Sequence, residues 1–181
     1  AVTIIDDIYE KMDPEDRFIL SSGHAGIALY AVLEKRYGYD AEELFLKHGI
    51  HATRDEVHRI TGGTGSLGHG LAIAIGMALV RKAKVYCLIS DGETMEGETL
   101  ESLRLANRVK NLEIHVNANG WGGMAPIGQF HTMVKLKSLY ENVQIHHTTG
   151  DVLPVFQGLE AHYKILSAED YETIIQNYYN E

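Results

Sequence analysis

Cysteine is almost absent from this chain: Cys87 is the only one in 181 residues. No disulfide framework can form within one copy, so a reducing compartment is the expected setting. Runs of Lys or Arg are missing as well. With 16 basic residues against 25 acidic ones and a formal charge of −9, nucleic acid and anionic membrane surfaces are poor candidates for partners. Long apolar stretches are also lacking. The longest, near Leu71 to Val80, is interrupted by Gly76 and too short to span a bilayer, and nothing reads as a signal peptide. These absences together predict a cytoplasmic protein with no membrane segment.

What remains is an ordinary globular composition, 45% apolar and 23% charged. That suits a single domain over residues 1–181 with a proper buried core. No repeat, linker or low-complexity segment interrupts it. Ala1 to Met12 carries Ile4, Ile5, Ile8 and Met12 at helical spacing, and Asp13-Pro14 ends that helix. Arg17 to Leu20 reads as a short strand. The following helix, to about Lys35, is expected to turn Ile27, Tyr30, Ala31 and Leu33 inward. A short helix is expected around Glu42 to Lys47. His48, His51 and His58 lie near it. A zinc site from these three lacks cysteine or an HExxH pattern, so solvated loop histidines are the favoured reading.

The most informative stretch runs from Thr64 to Trp121. Val85 to Ile89 is short, β-branched and apolar, the pattern of a strand buried on both faces of a parallel sheet. Cys87 sits inside it as a small buried thiol. The strand stops at Asp91-Gly92-Glu93, which places a carboxylate and a glycine at its carboxyl end, where open α/β sheets bind ligands. A second strand, Leu112 to Val116, ends in Asn117-Ala118-Asn119-Gly120. A carboxylate, an amide oxygen and a loop carbonyl form a hard-oxygen set suited to Mg²⁺, which binds readily through substrate phosphates. An acidic protein holding a diphosphate needs such a cation.

Gly62, Gly63, Gly65, Gly68 and Gly70 crowd Thr61 to Gly70 and allow close backbone approach to a ligand. The run resembles GxGxxG only superficially, since no strand with dinucleotide spacing leads into it, so NAD binding is the weaker reading. Gly70 to Lys82 is apolar nearly all round, as expected of a helix buried in its domain or in a subunit interface. Glu98 to Val109 is amphipathic, with Leu100, Leu103, Leu105 and Ala106 toward the sheet. Gly120-Trp121-Gly122-Gly123 reads as a flexible stretch, and Trp121 is otherwise expected to be a rim aromatic packed on its loop. Beyond Pro126 come a helix around Met133 to Tyr140, a strand over Val143 to His147, and a helix capped by Ser167 with Asp170 three residues on.

The strings SSGHAG, TGSLGHG, DGETMEG and Asn117-Ala118-Asn119-Gly120, in this order, resemble the amino-terminal, diphosphate-binding domain of transketolases over about residues 1–125. The resemblance implies a three-layer α/β/α fold with a mostly parallel sheet, and it implies thiamine diphosphate and Mg²⁺ as cofactors. It implies that Asp91, Asn119 and the carbonyl of Trp121 ligate the metal. Gly65, Ser66, Leu67 and Gly68 would line the cofactor, with Gly92 against the diphosphate. Glu93 is counted among the cofactor-binding positions too, although it and Glu98 match no family acid and solvent is expected to reach them. His24, His51 and His69 would lie near cofactor or substrate as proton-transfer groups. Glu96 would pair, across a dimer, with the activating glutamate of a pyrimidine-binding domain.

The chain departs from the family at Ser90, where Gly is usual, at Ala52, where Pro follows the histidine, and at Asn117, where Asp is common. The family's earlier Gly-His-Pro-Gly-like loop has no counterpart, so the true start is expected upstream. Nothing in the sequence encodes a pyrimidine-binding domain. The resemblance therefore implies the small subunit of a split transketolase, nearly inactive by itself. It would work with a separately encoded pyrimidine-binding subunit, in a heterotetramer containing a dimer of these domains, to move a two-carbon ketol unit from a ketose to an aldose sugar. Two alternatives stay open: a component of another thiamine-diphosphate enzyme, such as a 2-oxo acid decarboxylase or dehydrogenase or an acyloin-forming enzyme, or a non-catalytic binding module.

Overall fold

The computed structural model describes residues 1–148 and 164–179. Helix α1 (Val2–Lys11) buries Ile4, Ile5, Ile8 and Tyr9, as its spacing predicts, and stops before Pro14. Strand β1 (Arg17–Leu20) follows, then a 3-10 turn (Gly23–Ala25) that runs into α2 (Gly26–Tyr37). Gly38 closes α2 in the left-handed conformation, φ 72°, and its N–H bonds the carbonyl of Glu34. Helix α3 (Ala41–His48) is capped by Asp40, whose side chain accepts the N–H of Glu43 at 2.9 Å. The apolar helix is α4 (His69–Val80), followed by β2 (Val85–Ser90), α5 (Gly97–Ala106), β3 (Leu112–Ala118), α6 (Gln129–Leu139), β4 (Gln144–His147) and α7 (Ala168–Tyr179). Ser167 and Asp170 cap α7 reciprocally, each side chain accepting the other's N–H.

Among the described residues the four strands are all parallel, in the order β1-β2-β3-β4. Alternation along the strands splits the interior into two cores, one on each face. Val85, Cys87 and Ile89 of β2 join Ile19, Ile114 and Val116 under α4, α5 and α6. Tyr86 and Leu88 join Phe18 and Leu20 under α1, α2 and α3. Every residue of β2 is buried, and this is the three-layer α/β/α architecture with a parallel sheet. Among the described residues no helix is long and apolar enough to cross a membrane.

Three facing predictions need correction. Ile27 is exposed and Ala31 only half-buried, because α2 turns Leu29, Tyr30, Val32 and Leu33 to the sheet. Leu105 is exposed, while Leu103 and Ala106 pack inward. These errors follow from an apolar residue lying one position off the helix's buried stripe. Helix α4 buries Leu71, Ala74, Ile75 and Ala78 but leaves Leu79 and Val80 66% and 83% exposed.

Candidate cofactor site

The strand tips of β1, β2 and β3 all rise to one rim, because the sheet is parallel. At the tip of β2 the Asp91 side chain is fully buried, with 0% exposure. Its Oδ1 accepts the N–H of Gly92 at 3.0 Å, and its Oδ2 accepts the N–H of Gly120 at 2.7 Å. Burial pushes its carboxyl above the ordinary value, and the N–H groups of Gly120 and Gly92 oppose that shift. Its backbone carbonyl takes the Thr94 hydroxyl at 2.6 Å, which starts the 3-10 turn Gly92–Met95.

The loop after β3 is a tight hairpin, not the flexible stretch expected from its glycines. Trp121 bridges Pro126, the N–H of Gly122 bonds Ala125 and that of Ile127 bonds Gly120, both at 2.8 Å. Asn119 Oδ1 accepts the N–H of Trp121 at 2.8 Å. A side chain at Gly92 would meet Gly122 Cα at 3.5 Å and the Trp121 carbonyl oxygen at 3.9 Å. The two tips therefore bring together Asp91, Gly92, the hairpin that follows Asn119, and the Trp121 carbonyl.

The glycine-rich loop is pinned to the same rim. Thr64 Oγ1 donates to the carbonyls of Leu20 and Ser21, at 3.0 and 2.6 Å. The Thr64 carbonyl oxygen lies where a side chain on Gly23 would begin, 1.6 Å from its Cβ. Gly68, at φ 87°, starts α4. Gly65, Ser66 and Leu67 form the outward-facing apex, all three exposed. Glu96 is exposed and leans on the loop, its Cβ 3.2 Å from the position of a Gly68 side chain.

His24 is exposed at the β1 tip, and the ring of His51 lies 3.2 Å from a side chain built on Gly23. His24 belongs to the turn Gly23–Ala25 against which the His51 ring packs. His69 instead pairs with Glu98, Nε2 to Oε2 at 3.1 Å, so Glu98 is half-exposed and engaged rather than simply solvated. His48 and His58 are not solvated loop side chains either. Both contact the buried carboxylate of Asp55, at 3.2 and 2.7 Å, and Lys47 joins at 2.7 Å. Lys47 first, then His58, hold the Asp55 carboxyl well below the usual carboxylate range.

The largest correction is Glu93, which is fully buried. Its Oε1 accepts the Ser21 hydroxyl and the N–H of Gly68, the latter at 3.0 Å. Its Oε2 accepts the N–H of Ser90 at 2.8 Å and the Ser90 hydroxyl at 3.2 Å, while the Glu93 N–H donates to Ser90 Oγ. Ser90 and Glu93 thus form a reciprocal capping box. The Ser-x-x-Glu spacing in SDGE was the available signal. Sequence reasoning also missed Ser21 and Thr64, the β1-tip and loop residues that tie this network together.

The donor set fits a metal-bridged diphosphate. Among the described residues the Asp91 carboxylate is met by backbone N–H groups and the Glu93 carboxylate by N–H and hydroxyl groups. The buried Asp91 carboxylate, met by backbone N–H groups among the described residues, favours a bound cation over a bare anion.

Comparison with known proteins identifies the family. Residues 6–116 match the family model described as transketolase, thiamine diphosphate binding domain. A transketolase family protein of Sinorhizobium fredii is 43% identical over 119 residues, covering 56% of this chain and 42% of that protein. Human transketolase is 35% identical over 143 residues, 69% of this chain and 23% of its own length. An apulose-4-phosphate transketolase subunit of Phocaeicola vulgatus is 38% identical over 112 residues, 55% of this chain and 39% of that protein. The chain thus spans less than half the length of these relatives. In fold it superposes on the transketolases of Campylobacter jejuni and Leishmania mexicana with TM-scores of 0.54 and 0.56, at 21% identity, covering 73% and 74% of this chain and 28% of each of those. A parallel three-layer fold, a strand-tip aspartate bonded to the loop of the next strand, and a family match over residues 6–116, through β2 and into β3, lead to one assignment: this chain belongs to the transketolase family, through that family's thiamine diphosphate binding domain.

Proposed function

We propose that this chain is the cofactor-anchoring subunit of a split transketolase, joined by a separately encoded pyrimidine-binding subunit to transfer a two-carbon ketol unit between sugars. The observation that carries the reading is the buried Asp91 carboxylate, tied by Gly120 to the loop that bears Asn119. Asp91, Asn119 and the Trp121 carbonyl would hold Mg²⁺, and Gly92, without a side chain, would admit the diphosphate. When bound, thiamine diphosphate supplies the nucleophilic thiazolium carbon that the transfer requires.

The remaining roles belong to this chain's own residues. The apex Gly65-Ser66-Leu67, with Gly68 behind it, would shape the wall against the cofactor. His24, in the turn after β1, and His51, packed against that turn, would bind substrate hydroxyls and move protons near neutral pH. His69 would serve by orienting Glu98 at the start of α5, and Glu96 would meet the activating acid of the partner subunit. The exposed apolar residues of α4 suit a subunit interface in a heterotetramer. A cytoplasmic setting accords with the single buried cysteine.

The test is reconstitution. The purified chain, mixed with the product of the neighbouring gene, Mg²⁺ and thiamine diphosphate, is expected to transfer a ketol unit from ketose to aldose, whereas neither component is expected to do so by itself. A mixture that binds the cofactor yet turns over 2-oxo acids and no ketose would replace the transketolase reading with its nearest relative chemistry.

A further inference from the structure

We infer that Glu93 is a positioning residue: it holds three loops of the cofactor cradle at fixed spacing and touches neither cofactor nor substrate itself. The inference rests on the cofactor reading above for what the loops contain, but not for the contacts. An ionised carboxylate offers about four acceptor sites. In Glu93 all four are occupied by protein donors: the Ser21 hydroxyl, Gly68 N–H, Ser90 N–H and the Ser90 hydroxyl. The side chain is fully buried, so no acceptor remains to face a ligand.

The donors come from three separate pieces of chain. Ser21 is the tip of β1, 72 residues away. Gly68 ends the glycine-rich loop, 25 residues away, and Ser90 ends β2, three residues away. No other side chain among the described residues bonds all three. Drawing the Gly68 N–H inward also decides which part of the loop faces out. Gly68 is buried, and Gly65, Ser66 and Leu67 are left as the exposed apex. Glu93 thereby sets the distance between that apex and the Asp91-Gly92 turn, two residues from its own backbone.

Chemistry explains why the position carries an acid. A glutamine has the same length, but its amide nitrogen cannot accept, so at least one of the two N–H donors, or the hydroxyls that accompany them, would lose its partner inside a dry site. An apolar residue would strand them all.

The test compares Glu93→Gln with the milder Ser21→Ala. Hydrogen exchange on the free chain reads positioning without any cofactor. In Glu93→Gln, segments 20–26, 64–70 and 88–96 are expected to exchange faster together, while α1 and β3 keep wild-type protection. Acceleration confined to 88–96 overturns the inference. In the reconstituted pair, Glu93→Gln is expected to raise the dissociation constant and the KM for Mg-thiamine diphosphate about tenfold or more, with the effect in KM rather than kcat, and Ser21→Ala to follow with a smaller rise. A lowered melting temperature with unchanged cofactor affinity would mean a merely structural role, and a loss confined to kcat would mean direct contact with the reacting groups. Either overturns it. A wild-type pair that binds no thiamine diphosphate would instead sink the cofactor reading, and the exchange pattern would still decide the inference.

Discussion

Asp91 Oδ2 accepts the N–H of Gly120 at 2.7 Å, so the end of one strand holds the loop of its neighbour through a single buried bond. Asp91→Ala removes that acceptor and strands the Gly120 N–H, which should cost about 1–3 kcal/mol of stability in denaturant titrations. Mg-dependent cofactor binding by the reconstituted pair should disappear altogether in calorimetry. Affinity that survives the substitution would place the metal elsewhere.

Metal removal gives a second check. If the cofactor sits on the Asp91 rim, saturating Mg-thiamine diphosphate at about a hundred times its dissociation constant should add about 2.7 kcal/mol to the stability of the pair. EDTA should abolish that gain. Thiamine diphosphate that stabilises equally well in EDTA would contradict a cation-bridged site.

Acid should weaken the fold in two stages. His115 Nδ1 and His146 Nε2 stand 2.9 Å apart in stacked rings, linking β3 to β4. Burial, and then His146, lower His115 from 6.5 to about 4, and burial lowers His146 too. Around them, Glu113 raises His115 and Asp7 raises His146, while Lys11 lowers both. The folded state therefore binds fewer protons than the unfolded one between pH 6.5 and about 4. Stability is complete above 6.5 and falls as pH drops through that window, by about 2–3 kcal/mol. Thermal melts of His115→Gln should show a flatter slope there; an unchanged slope would exonerate the pair. Asp55, with its carboxyl held low by Lys47 and His58, keeps its contribution through this range and loses it only at pH below 3.8.

Asp55 also organises the segment carrying His51. Its Oδ1 accepts the N–H groups of Val57 and His58, and its Oδ2 meets Lys47, His48 and His58. Asp55→Ala should cost about 2–3 kcal/mol and speed hydrogen exchange across 48–60. Exchange unchanged in that segment would show that the packing of Ala52 and Ile60 suffices to hold it.

The parts of this molecule that sequence made legible are those governed by short-range patterns. VYCLIS can only be a strand buried on both faces, and its abrupt end at Asp91 located the rim. Pro14 marked a helix end for a local reason. Side-chain facing was legible only to within a residue or two, so Ile27 and Leu105 were placed inward when Leu29 and Ala106 took the buried places. For Glu93 only the Ser90 partner was legible, through the SDGE spacing, and its burial was not. An isolated acid in a loop is normally solvated, and its burial depends on Ser21, a partner 72 residues away. The hairpin after Asn119 looked flexible because three glycines surround Trp121, yet pairing across Gly120 and Ile127 is set by the turn as a whole.

The contact between Gly23 and the Thr64 carbonyl has a parallel at Gly63, where an added Cβ would lie 1.5 Å from the carbonyl oxygen of Ala52. Gly65, Gly76, Gly97 and Gly128 meet nothing within 4 Å. A saturation library of this chain would accordingly show two extreme populations among its glycines, Gly23 and Gly63 being intolerant of even a methyl group and Gly65, Gly76, Gly97 and Gly128 having room for one. The apex Gly65 would fall in the second population for folding. Any purge of substitutions there under selection for growth would register the presence of a ligand rather than the needs of the scaffold.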